Sequence, residues 1–215
     1  MIRRLLLSLL LLVPAAALAA DAPAGQPLQE GVDYVVIADG KPFAAPVKGK
    51  VEVVEVFGYT CPHCAHFEPQ VAAWRARRKD VNFVPLAAPF GGYWTPYAKA
   101  FYTSQELGVT ARTHDAVFKA VHETGTLPRN NPSVGELATF YAGYGVDPAR
   151  FTQVFDGPQV QARMDNARAF IQRSGVEGTP TLVVNGKYRI IGGRGFDDVL
   201  RIADALVARE KGGKR

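Results

Sequence analysis

Positions 51–64 read VEVVEVFGYTCPHC, and this stretch decides the fold. Val51, Val53, Val54, Val56 and Phe57 make an almost continuous β-branched and apolar run. That is the pattern of a strand covered on both faces inside an α/β sheet. Gly58-Tyr59-Thr60 turns the chain, and a helix is expected at once. Pro62 suits a first helical position, where its missing N–H has no partner to lose. Cys64, Phe67, Val71 and Trp74 fall at i, i+3, i+7 and i+10, one helix face. Arg75, Arg77, Arg78 and Lys79 crowd the C-terminal end, which favours the helix dipole. Pro69 sits inside and is expected to kink the helix.

Outward from this unit, 34–37 reads as a short strand closed by Asp39-Gly40, and 81–86 as the strand after the helix. From Tyr93 to about Val160 the period changes to four or so helices. Ser133 and Glu136 have capping-box spacing, and Asp147-Pro148 is an N-cap followed by a first-turn proline. Gly157-Pro158 opens a further helix that ends at Gly175. Strands at 181–184 and 187–191 flank Asn185-Gly186, a strong hairpin signal. A last amphipathic helix carries Val199, Leu200, Ala203, Leu206 and Val207. The order is that of one α/β unit with an all-helical insertion: first part 20–92, insertion 93–160, second part 161–210, basic tail 211–215.

The chain has 215 residues, 47% hydrophobic and 21% charged, an ordinary globular balance that excludes disordered and fibrous classes. Its net charge is +5, of which Arg3 and Arg4 supply two. The remaining bias is too small to argue for nucleic acid. Residues 1–19 read as a secretory signal: two arginines, an apolar run over 5–13, then the cleavage pattern Ala17-Leu18-Ala19. The alternative, a membrane anchor, is short of the ~20 apolar residues needed to span. A mature chain starting near Ala20 in the periplasm, an oxidising compartment, is expected.

Cys61 and Cys64 are the only cysteines. Two cysteines at i and i+3 on a first helical turn can reach each other as an accessible disulfide. Cys61 stands where free N–H groups and the helix dipole favour a negative sulfur, which lowers its pKa. Cys64 belongs to the apolar face. Cys61 is therefore the expected exposed nucleophile and Cys64 the shielded, resolving partner. His63, between them, adds a donor or a positive charge to the thiolate. Zinc held by Cys61, His63, Cys64 and His66 is disfavoured because residues of one helical turn point in several directions. Haem attachment needs a histidine where Ala65 stands. A purely structural disulfide would close too short a loop to stabilise much. No cofactor or metal is expected beyond the dithiol.

Glu55 lies six residues before Cys61 in an apolar strand. Burial there raises its pKa and lets it relay a proton to or from Cys64. The alternative is an acid at a strand end facing solvent, since Glu52 shows that this strand tolerates acids. In Gly178-Thr179-Pro180-Thr181, proline can adopt a cis peptide and Thr179 is pushed toward an extended conformation. Such a backbone can pair with a substrate's main chain. Composition alone favours an ordinary trans proline. The aromatic cluster Phe90, Tyr93, Trp94, Tyr97, Phe101 and Tyr102 is expected to pack the insertion onto its host instead of lining a peptide groove.

Cys61-Pro62-His63-Cys64, the preceding Glu55-Val56-Phe57, the Gly178-Thr179-Pro180 loop and the Val184-Asn185-Gly186-Lys187-Tyr188 hairpin together resemble the DsbA family of thiol:disulfide oxidoreductases. The resemblance runs from about Glu30 to Val207. It implies a thioredoxin fold with an inserted helical domain, and a protein that donates the Cys61–Cys64 disulfide to newly exported proteins. Cys61 would form the mixed disulfide, Cys64 would resolve it, and His63 would stabilise the thiolate. Glu55 would be the buried acid beneath the site, and Pro180 the cis-proline. Thr179, with Pro180 and Pro62, would face the substrate. The partners implied are reduced or unfolded exported proteins and a membrane quinone-linked oxidase resembling DsbB, with the protein itself a monomer. A reductase or isomerase on the same scaffold is the alternative within the enzymes. Outside them it is a metal- or peptide-binding module using the cysteines as ligands or not at all.

Overall fold

A computed structural model describes residues 27–213; residues 1–26, where a secretory signal is expected, and the last two residues of the tail lie outside the described residues. The strand expected from the opening stretch is β2, Val51–Phe57, every residue of it buried. It is followed by α1, Pro62–Arg77, and β3, Val81–Ala87, which returns parallel to β2 with Val51 opposite Val81. α1 runs on through Pro69 to Arg77.

The remaining strands are β1, Tyr34–Val36, β4, Thr181–Val184, and β5, Tyr188–Ile190. Among the described residues they form one five-stranded sheet in the order β1-β5-β4-β2-β3, antiparallel except for β2 with β3. Asn185 and Gly186 turn the β4–β5 hairpin with φ of 51° and 64°. Both central residues in the left-handed region give the turn whose twist matches the strands. Gly186 is needed for a second reason, because a Cβ there would lie 1.9 Å from the Lys41 carbonyl oxygen.

Between β3 and the hairpin come α2, Thr95–Glu106, α3, Thr110–His122, α4, Val134–Ala142, α5, Pro148–Phe155, and α6, Pro158–Ser174. α7, Phe196–Gly212, ends the fold. The caps are those the sequence announces. Ser133 and Glu136 close a reciprocal capping box on α4, and the Asp147 side chain accepts from Arg150 N at the start of α5.

The sheet separates two cores. On one face, Val51 and Val53 pack with Phe67, Val71 and Trp74 of α1 and with Ile202, Leu206 and Val207 of α7. On the other, Val54 and Val56 pack with Phe101, Val117, Phe118, Tyr141 and Phe170 of the helical block. α3 also reaches α1, so the insertion closes over the end of the helix that carries the cysteines.

The expected aromatic packing divides in two. Tyr97, Phe101 and Tyr102 are buried, whereas Phe90 and Tyr93 stay exposed. Trp94 covers Gly58 so closely that no Cβ would fit between them.

Candidate active site

Strand alternation and the helix start place the site. β2 ends at Phe57, Cys61 N–H donates back to the Gly58 carbonyl at 3.0 Å, and Cys61 becomes the N-cap of α1 with φ −82° and ψ 117°. Pro62 occupies the first helical position, and no side chain caps the helix. The first-turn N–H groups are thereby left for the sulfur.

Both cysteines are free thiols. Cys64 is 1% exposed, as its place on the apolar face requires, but Cys61 is only 8% exposed instead of standing clear. The Thr179 loop covers it, with the Thr179 carbonyl oxygen 3.4 Å from Cys61 Sγ. That loop carries the Thr179-Pro180 peptide in the cis form.

The two sulfurs have opposite proton affinities. The Cys61 thiol is lowered to about 5, chiefly because the Cys64 thiol donates to its thiolate. The Thr179 side chain and the backbone N–H groups of Cys64 and His63 add to this against the cost of burial. Burial pushes Cys64 well above the ordinary thiol range, and the neighbouring Cys61 adds to that. The reduced pair is thus one thiolate, on Cys61, and one thiol, on Cys64.

His63 reaches the thiolate by its backbone N–H, while its side chain is exposed. His66 is exposed as well, whereas Cys61 and Cys64 are buried, so these four side chains do not share one environment.

Glu55 is 1% exposed and its Oε2 has no hydrogen-bond partner. It shares the strand face of Val51 and Val53, the face α1 covers. Burial raises its carboxyl well above the usual range; Glu68 raises it further and Arg75 opposes. Glu55 is therefore no solvent-facing strand end. Nor is Glu52, which is buried on the opposite face and accepts the Phe43 and Ala44 N–H groups at 2.8 and 2.6 Å.

Three further residues meet at the site that sequence reasoning did not single out: Tyr59, Glu68 and His114. Glu68 stands four residues after Cys64, on the same face of α1, and is buried. Its Oε2 lies 3.4 Å from His114 Nε2, and the other His114 ring nitrogen lies 2.8 Å from the Tyr59 hydroxyl. The i, i+4 spacing from Cys64 was the available signal for Glu68. For His114 no local signal exists, because its partners are supplied by tertiary packing.

Chemically, a buried acid, a thiolate and a buried thiol beside a cis-proline loop suit thiol–disulfide exchange. The family model described as the DSBA-like thioredoxin domain matches residues 91–206. The thiol:disulfide interchange protein DsbA of Pseudomonas aeruginosa is 39% identical over 184 residues, 84% of this chain and 85% of that protein. The protein of the same name in Pseudomonas syringae pv. tomato is 36% identical over 203 residues, 93% and 92% of the two chains. The crystal structure of the oxidoreductase DsbA from Xylella fastidiosa is similar with a TM-score of 0.82 and 53% identity, covering 86% of this chain and 98% of that one.

Proposed function

Because the chain belongs to the DsbA family of thiol:disulfide oxidoreductases, we propose that it is the disulfide donor of its pair, acting on reduced proteins exported to the periplasm. The observation that carries the direction is the asymmetry of the sulfurs. A thiolate held low at Cys61 makes the reduced pair the favoured state, so the disulfide is readily given away.

In the reaction, a substrate thiolate attacks Cys61 Sγ of the oxidised pair. The Cys61–Cys64 bond breaks, a bond from substrate sulfur to Cys61 forms, and Cys64 leaves and takes up a proton. Glu55, beneath the α1 face, is the acid that hands it that proton. A second substrate thiolate then attacks the substrate sulfur of the mixed disulfide, and Cys61 leaves as the thiolate. Two electrons pass from the substrate dithiol to the pair. No redox group beyond the two sulfurs takes part.

The cis Thr179-Pro180 loop beside Cys61 offers main-chain groups against which the substrate backbone pairs, and Pro62, next in sequence to Cys61, also faces the substrate. His63 contributes through its backbone N–H. The pair is returned to the disulfide by a membrane quinone-linked oxidase resembling DsbB. The protein acts as a monomer after removal of residues 1–19, and a mature charge near +3 gives nucleic acid no role.

Trapping tests the assignment of the sulfurs. Cys64→Ala is expected to accumulate a mixed disulfide with a reduced peptide, and Cys61→Ser to abolish exchange. No adduct in Cys64→Ala, or exchange surviving in Cys61→Ser, contradicts it.

A further inference from the structure

His114, Phe118 and His122 stand at i, i+4 and i+8 on α3, in one stripe, and all three close on Tyr59, two residues before Cys61. The Tyr59 hydroxyl lies 2.8 Å from His114 Nδ1, and His122 Nε2 lies 2.7 Å from the Tyr59 carbonyl oxygen. A carbonyl oxygen only accepts, so His122 donates from Nε2. Phe118 fills the space between, its ring centroid 4.9 Å from that of Tyr59. Beyond His114 stand Glu68 and, 3.4 Å from the other Glu68 oxygen, Arg75.

Hydroxyl, imidazole and carboxylate thus form one buried line from the redox loop, through the insertion, to α1. Tyr59 is 1% exposed, which excludes it as a group that meets substrate. The other charges around this line are Glu55 on β2 and Asp115 on α3, both of which act on it through space.

We propose that α3 clamps the redox loop through Tyr59, at its hydroxyl by His114 and at its carbonyl by His122, and that this clamp holds Cys61 in register with the first-turn N–H groups of α1. Tyr59 lies in a three-residue turn, Gly58 to Thr60, that otherwise carries only the Cys61-to-Gly58 backbone bond toward the helix. The N–H groups of His63 and Cys64 reach the sulfur only while Cys61 keeps its extended N-cap geometry, and no side-chain cap fixes that geometry. Holding the turn at both ends of one residue supplies the missing restraint. The insertion is then a positioning device for the thiolate as well as a covering domain. His114, His122 and Tyr59 are positioning residues, since none touches the reacting sulfurs.

The clamp rests on the exchange reading, and the two fail separately. If the parent protein exchanges no disulfide, that reading falls. If the parent exchanges and the variants match it, the clamp alone falls. The experiment compares Tyr59→Phe, His122→Ala and His122→Gln with the parent by ultraviolet titration of the Cys61 thiolate and by redox equilibrium with glutathione.

Tyr59→Phe and His122→Ala should raise the thiolate pKa and lower the equilibrium constant for the reduced form about three- to tenfold, the effect of one modest hydrogen bond. His122→Gln, whose amide N–H takes the place of Nε2–H, should restore the parent values. Unchanged titration and equilibrium in both Tyr59→Phe and His122→Ala overturn the clamp, even if both variants melt earlier. Should His122→Ala fail to fold, Tyr59→Phe decides, because it keeps the buried ring.

Discussion

Glu55 shows what a single buried acid does to the protein around it. Its carboxyl is raised well above the ordinary value by burial, with Glu68 adding to the shift. The unfolded chain releases this proton near its ordinary pKa while the folded chain retains it. The folded state is therefore unpenalised below that value and loses stability as pH rises toward the raised pKa. Glu55→Gln should remove this slope, leaving stability near pH 4 unchanged and raising it at pH 7. Exchange should slow as well, on the proposal that Glu55 supplies the proton to Cys64. Equal pH slopes in denaturant titrations of the two proteins would contradict the buried-acid account. Glu55, Cys61 and Cys64 were legible because each is defined by its distance along one strand or one helical turn. Tyr59 and His114 were not, because they are separated by 55 positions and meet only when α3 packs against the β2–α1 turn; Glu68 had its i, i+4 spacing from Cys64 as a signal.

At the scale of elements, the contact of the β2–α1 turn with the helical block is decided by one missing side chain. A Cβ on Gly58 would lie 1.9 Å from Trp94 Cζ3 and 2.5 Å from Cε3. Gly58→Ala should therefore cost about 1–3 kcal/mol of overpacking. It should slow exchange by displacing the turn that leads to Cys61, and Trp94→Leu in the same chain should recover part of the loss. Additive losses in denaturant melts of the two single variants and the double variant would show that the two residues do not compete for this space. The elements themselves were readable wherever the chain is punctuated. Pro62 starts α1, Asp147-Pro148 starts α5, Gly157-Pro158 starts α6, and Asn185-Gly186 turns the hairpin. How the strand tolerates Glu52 was not legible, because the two N–H groups that satisfy it come from residues 43 and 44, a segment without regular structure. The exposure of Cys61 was overread for a similar reason, since the loop that covers it lies more than a hundred residues away.

On the scale of the whole molecule, sheet, redox helix, cis-proline loop and insertion converge on one outcome, a Cys61 thiolate in a folded, reduced protein. Its pKa is depressed below the unfolded value, so the stabilisation is present above the unfolded pKa and is lost as pH falls through about 5. At pH 7 the gap favours the reduced state by an amount on the order of 3 kcal/mol. The measurement that tests this most directly is the redox equilibrium of the mature protein with glutathione, followed across pH by the reduced fraction of Cys61–Cys64. The account predicts a dithiol that persists in rather oxidising buffer at pH 7, with an equilibrium constant that falls about tenfold per pH unit toward about 5 and then levels off. A disulfide that persists in reducing buffer, with no change of slope near that pH, would contradict it and make the protein a reductant on the same fold.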